Sequence, residues 1–213
     1  MEKGSLSDQI VPLAPRFASA AAEIHAQGQP GTFLTTLGPA FLRALYTEMA
    51  LSPHCLGYVA LDGHEVVGVV VGTTDSGAIF KDLIWHRGPK LILPVLGALV
   101  RHPSLFPKLV QTLIYPDKVE EDSEIGEMLF IGVRSPYRGK GIGGMLFRAM
   151  EDALRERGVK FMGMTVEDED EAANSFHQHN GMIPQYSFML YGRRMNWYLR
   201  PLDSTCGMSM DEE

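Results

Sequence analysis

The chain has only two cysteines among its 213 residues, Cys55 and Cys206, with no CxxC pair and no histidine at zinc-ligand spacing. That excludes a disulfide scaffold and argues against a zinc site; two unpaired thiols fit a reducing compartment. Long apolar runs are also missing. The longest, Leu91 to Val100, is interrupted by Pro94 and is too short to span a bilayer. The opening MEKGSLSDQI lacks the apolar core of a signal peptide, so a cytoplasmic protein with no membrane span is expected. Positive charge is in deficit: 19 Lys and Arg stand against 26 Asp and Glu, for a net charge of −7. This argues mildly against nucleic acid or an anionic membrane as the main partner, although a local basic patch is compatible with it. There is no internal repeat and no low-complexity segment. Hydrophobic residues at 45% and charged residues at 21% describe a globular chain, read as one domain over 1–213.

Periodicity divides the chain into mixed elements. Ile10 to Leu13 reads as an edge strand, Arg16 to His25 as an alanine-rich helix, and Gly28, Pro30 and Gly31 as breakers. Phe41, Leu42, Leu45, Tyr46 and Met49 recur at helical spacing. Gly57 to Leu61 and Val66 to Thr73 form a hairpin around Asp62-Gly63. In Phe80 to Tyr115, Pro94, Pro103 and Pro107 punctuate apolar residues at helical intervals, so two or three short amphipathic helices are expected there. Asp117 to Glu124 reads as a solvated acidic loop. The second half reads strand (Met128 to Val133), helix (Ile142 to Arg157), strand (Phe161 to Val166), helix (Glu171 to Asn180) and a last hairpin around Gly192.

The segment with chemistry in it is IGVRSPYRGKGIGG, residues 131 to 144, in which a strand runs through a glycine-dense turn directly into a helix. A helix N-terminus presents unpaired N–H groups and partial positive charge, and glycines let it approach a bulky anion. Together they make a phosphate or pyrophosphate site. The P-loop pattern GxxxxGK[ST] is absent, since no Ser or Thr follows Lys140. The dinucleotide fingerprint GxGxxG is set aside because Gly139, Gly141, Gly143 and Gly144 are read as falling outside its intervals and no acid about 20 residues on is expected to close a strand. Arg-x-x-Gly-x-Gly remains, read as Arg138, Gly141 and Gly143.

With these residues, and with "NSFHQHNGM" further on, the chain resembles the GNAT superfamily of N-acetyltransferases, most closely over residues 126 to 199. The resemblance implies an α+β fold: a central, mostly antiparallel twisted sheet of about seven strands flanked by helices. A helical insertion at 80–118 would separate strands 3 and 4. It implies acetyl-CoA as co-substrate and no metal. Ile131, Gly132 and Val133 would meet the pantetheine arm, and Arg138, Gly139, Lys140, Gly141, Ile142 and Gly143 the pyrophosphate. Many members have an Asn opening the last helix seven residues before a Tyr that protonates the leaving thiolate. Counting back from Gly181, those positions are Asp170 and His177 here. Asn174, one turn before His177, is then a candidate for the amide-binding role, and His177 for the acid. Glu127, six residues before Val133, is the candidate base.

The implied reaction is acetyl transfer to a primary amine of a small molecule, with direct attack in a ternary complex. The alternatives are a protein or peptide acceptor, or a non-catalytic acyl-CoA-binding module whose Phe80 to Tyr115 insertion docks a partner or membrane surface. The acceptor would be shaped by the loop Ala26 to Thr35, the insertion, and the hairpin tip Tyr191 to Arg194. Phe80, Trp85 and Phe106 either line an apolar pocket or pack the inserted helices. His25, His54, His64, His86 and His102 lie outside the motifs and read as loop or surface residues. A homodimer through the insertion or the last hairpin is compatible with the sequence, which does not decide it.

Overall fold

The computed structural model describes residues 10–107, 109 and 124–202. Cys206 and most of the acidic loop expected at Asp117 to Glu124 lie outside the described residues.

Seven strands form one sheet: β1 (Ile10–Pro12), β2 (Leu56–Asp62), β3 (Glu65–Thr73), β4 (Ile125–Val133), β5 (Phe161–Glu167), β6 (Ile183–Leu190) and β7 (Arg193–Pro201). Their order is β1-β2-β3-β4-β5-β7-β6, with every neighbouring pair antiparallel except β4 and β5. β3 shows why the sheet has two covered faces. After Glu65 every residue of EVVGVVVGT is buried, as expected of a central β-branched strand packed on both sides. The helices α1 (Ala18–Gly28) and α3 (Pro39–Leu51) cover one face, with the short α2 (Phe33–Thr36) between them. Ile24, Phe41, Leu42 and Tyr46 there meet Val69, Val71 and Phe130.

The crossover helix α6 (Ile142–Arg155) covers the other face, followed after β5 by α7 (Glu171–His179). Leu146, Met150 and Leu154 of α6 recur at four-residue spacing and are each 0% exposed against the sheet. Burials of this size stabilise by about 2 kcal/mol per side chain.

The insertion between β3 and β4 differs from its expected form. α4 (Ser76–Lys81) is capped by Asp75, whose carboxylate accepts the Ala78 N–H at 2.7 Å. A π-turn (Asp82–His86) leads into a single helix, α5 (Gly88–Arg101), and Pro94 sits inside it rather than ending it. An internal proline costs about 3 kcal/mol. Offsetting contacts come from Leu91, Val95, Ala98 and Leu99, which pack on the first core. An ionic knot also pins the start of α5 to α3. Arg87 donates to Asp82 at 2.8 Å, to Glu48 at 3.1 Å and to the Leu51 carbonyl at 2.7 Å. Burial opposes ionisation of Asp82, but hydrogen bonds from Ser52 and Arg87 hold its carboxyl below the usual range.

One irregularity in β4 matters for the site. Val71 pairs with Phe130 but Gly72 pairs with Met128, so Leu129 is an extra residue, a bulge. Gly126 and Met128 face α6, whereas beyond the bulge Phe130 faces α1. Glu127 and Phe130 therefore share the α1 face, three residues apart in a strand that without the bulge would place them on opposite faces.

Where β5 lies against β7, Gly163 leaves room for the Trp197 ring, which a Cβ would overlap. Gly163→Ala is expected to destabilise the fold by about 1–3 kcal/mol, measured as a lower urea midpoint with unchanged m-value.

Candidate active site

The parallel pairing of β4 and β5 is short. Ile125 to Met128 pair with Phe161 to Met164, and the ladder stops there although β4 runs on to Val133 and β5 to Glu167. Leu129 to Val133 keep β3 on one side and have no strand on the other. An exposed strand edge of this kind offers N–H and C=O groups to an added extended chain. Ile131, Gly132 and Val133, expected to meet a pantetheine arm, lie on that free edge.

The glycine turn follows immediately. Gly139 and Gly141 have φ of 75° and 84°, left-handed values that favour glycine, and a Cβ on either would meet nothing within 4 Å. Gly141 is the N-cap of α6 and no side chain caps that end. The α6 ladder begins with Met145 N–H donating to Gly141 C=O at 3.1 Å, so the N–H groups of Ile142, Gly143 and Gly144 have no helical acceptor. The space around the turn and its free donors fit a pyrophosphate. Arg138 is exposed and folds back so that its Nε donates to the Val133 carbonyl at 3.1 Å. The Lys140 ammonium lies 4.8 Å from the centre of the Tyr137 ring. The Phe176 ring of α7 closes over Gly143, where a Cβ would come within 3.0 Å of it.

Glu127 stands where the ladder is still intact, opposite Gly163 of β5 and Thr73 of β3. Half-buried on the α1 face, it accepts a hydrogen bond from Ser76 Oγ of the insertion at 2.5 Å. Burial raises its carboxyl above the usual carboxylate range, and the Ser76 bond partly counters that. No signal in the sequence pointed to Ser76; only the packing of α4 on β4 brings it there.

His177 and Asn174 share α7 but not surroundings. His177 is 1% exposed, ringed by Phe147, Phe176 and Tyr198, and its Nδ1 has no hydrogen-bond partner. Burial lowers its pKa to about 4, so the ring is uncharged at neutral pH. Asn174 is fully engaged. Its Nδ2 donates to the carbonyls of Glu167 and Asp170, both at 2.8 Å, and its Oδ1 accepts from Tyr198 Oη at 2.8 Å. Asp170, at the position of the expected Asn, caps α7 by accepting the Ala173 N–H at 3.0 Å.

Two of the three segments expected to shape the acceptor site meet. The ion pair of Arg193 with Glu167 (2.5 Å) and the bond from Arg193 to the Gly31 carbonyl (3.1 Å) join β7, the end of β5 and the loop before α2. Tyr191 packs on Phe33, with ring centres 5.3 Å apart. The insertion reaches the site through Ser76. Phe80 packs on the first core, whereas Trp85 and Phe106 are 77% and 60% exposed. His25 is not a surface residue either. Buried in α1, it stacks on Phe130 at 4.4 Å and bonds Tyr46 Oη at 3.0 Å. Among the described residues no group of three or more His, Cys, Asp or Glu is placed to hold a metal.

Glycine spacing alone does not exclude a dinucleotide turn. Gly139, Gly141 and Gly144 do stand at GxGxxG intervals and Glu167 closes β5. The sheet excludes it, because a single parallel pair within an antiparallel sheet is not a doubly wound domain. A mostly antiparallel sheet that parts at that pair, with a glycine-lined helix N-terminus at the opening, has the architecture of an acyl-CoA-dependent transferase. The chain belongs to the GNAT acetyltransferase family, whose model, described as "Acetyltransferase (GNAT) family", matches residues 22–182.

Among curated relatives, mycothiol acetyltransferase from Beutenbergia cavernae is 34% identical over 71 residues, 33% of this chain and 24% of that protein. Partitioning protein REP1 of Saccharomyces cerevisiae is 28% identical over 130 residues, 59% of this chain and 34% of that protein. The chain thus spans about a quarter to a third of the length of these relatives. Among solved structures, an N-acetyltransferase from Staphylococcus aureus superposes with a TM-score of 0.60 at 15% identity, covering 91% of this chain and 98% of that one. The ribosomal-protein-S18-alanine N-acetyltransferase from Escherichia coli superposes with a TM-score of 0.57 at 11% identity, covering 94% and 97%. At these identities the likeness establishes the shared fold.

The two buried histidines set an acid limit on stability. Burial lowers the folded pKa of His25 and of His177 to about 4, below the unfolded value of 6.5. The unfolded chain therefore binds protons first, and stability falls as pH drops from 6.5 toward 4. Each ring is expected to cost about 2 kcal/mol between pH 7 and pH 5. Urea unfolding at both pH values measures this, and His177→Phe is expected to remove its share of the loss.

Proposed function

We propose that the protein transfers an acetyl group from acetyl-CoA to a primary amine of a small molecule, by direct attack within a ternary complex. The observation that carries this reading is the end of β4–β5 pairing at Met128 and Met164, with the Gly139–Gly144 donors at the mouth of the gap. The free edge of Ile131 and Val133 would hold the pantetheine amides as an added strand, and the N–H groups of the turn the pyrophosphate. Arg138 and Lys140 add positive charge beside it. When bound, acetyl-CoA supplies the activated thioester.

The chain's own residues supply alignment and proton traffic. Glu127, reached from the α1 face, takes a proton from the ammonium form of the acceptor. A β4 backbone N–H near Val133 polarises the carbonyl that is attacked. With its pKa lowered to about 4, the His177 ring is uncharged at neutral pH and is a poor general acid. Solvent protonation of the leaving thiolate takes that place. Asn174 organises the β5–α7 junction, its donors being committed to Glu167 and Asp170. A small acceptor is favoured over a peptide because Arg193 and Tyr191 tie the hairpin tip to Gly31 and Phe33, narrowing the approach on that side.

Thiol release from acetyl-CoA against a panel of amines, amino acids, amino sugars and peptides tests the reading; silence with every acceptor would refute it. With an active acceptor, Glu127→Gln is expected to lower kcat about 100-fold or more and to abolish the acid limb of the pH profile. A base must be ionised, so activity should fall as pH drops through the raised Glu127 pKa. Ser76→Ala removes a bond that favours the ionised form and should move that limb to higher pH. Gly141→Val forces a β-branched residue to positive φ at the turn. It should raise the KM for acetyl-CoA about tenfold or more, with kcat at saturation changed far less.

A further inference from the structure

α5 is apolar all round. In GPKLILPVLGALVR, Lys90 and Arg101 are the only charged residues. Leu91, Val95, Ala98 and Leu99 account for the face packed on the protein. The opposite face carries Ile92, Leu93, Leu96 and Val100, which are 52%, 77%, 51% and 84% exposed. Trp85 before the helix and Phe106 after it are exposed as well, at 77% and 60%. A helix apolar on both faces belongs in a core or in lipid, and a patch of this kind marks an interaction surface.

Charge selects the occupant. From Lys81 to Leu109 the sequence has five Lys or Arg residues and one acid, Asp82, within a chain of net charge −7. Asp82 is buried and turned inward toward Ser52 and Arg87. Glu48, the acid of α3 nearest the patch, is likewise 3% exposed beneath it. Arg87 is taken up by Asp82 and Glu48, and the exposed apolar stripe is flanked by Lys90 at one end of α5 and by Arg101 at the other. Lys90 pairs with Glu48 at 3.0 Å yet its side chain is 65% exposed. A second copy of the chain would bring two cationic faces together.

Anionic headgroups over acyl chains match both properties. Geometry sets the mode. α5 has 14 residues, about 21 Å, short of a roughly 30 Å hydrocarbon core. No single helix among the described residues is long and apolar enough to cross, and α4 with its π-turn meets α5 at a 78° bend.

We propose that the outer face of α5, with Trp85 and Phe106, docks the protein on an anionic membrane surface, lying in the interface without crossing it. The docking itself does not rest on the acetyl-transfer reading.

Co-sedimentation of the full chain with vesicles of phosphatidylcholine alone, and of phosphatidylcholine with phosphatidylglycerol at about three to one, tests it. The bound fraction is expected to rise at least tenfold with the anionic lipid, to fall at high salt, and to be lost in a Leu93→Glu/Val100→Glu variant with an unchanged urea midpoint. Vesicles should shift the Trp emission to the blue, and Trp85→Phe should remove the shift while Trp197 remains. Equal binding to both vesicles, or binding untouched by the double variant, would overturn the proposal. So would a protein that stays in the supernatant, whether as a monomer or as a dimer that the double variant dissociates.

Discussion

A backbone N–H or C=O taken from water needs a partner, and β4 loses one of its two neighbours at Met128. β5 keeps its other neighbour throughout, its far edge laddered to β7 from Phe161 opposite Pro201 to Glu167 opposite Met195. The opening is thus built into the sheet, and the free stretch Leu129–Val133 becomes a place to bind an extended ligand. The glycine turn, the α6 N-terminus and Glu127 take their meaning from their positions around that opening.

The bulge at Leu129 is the second constraint. It turns β4 over, so that the residues below the opening and those beside it address different layers. Glu127 consequently faces the helical side, where α4 delivers Ser76, while Ile131 and Val133 pack toward α6. One extra residue thus gives β4 a free edge on one stretch and a half-buried carboxylate on the α1 face on another. Burial raises the pKa of that carboxylate, and the hydrogen bond from Ser76 partly counters it.

The insertion relates differently to the rest of the fold. Its inner face is fixed by a buried ionic knot of Arg87, Asp82, Glu48 and Ser52, which is costly to break once formed. That rigidity holds an aliphatic stripe outward where a looser segment would fold it in.

The sequence by itself determined the α+β class, the family, the strand–turn–helix at 131–144 and nearly every element, because glycine placement and hydrophobic period are local properties. It also placed Glu127 as a carboxylate near the motif. Tertiary structure decided what depends on neighbours distant in sequence. His177 reads as a titratable acid in a helix but is sealed among Phe147, Phe176 and Tyr198, which makes it neutral. His25 reads as a surface residue but stacks on Phe130 from a strand more than 100 residues away. Pro94 reads as a break but lies within a helix that packing holds together. Burial and pairing of these groups are set by contacts between distant segments, and no local pattern encodes them.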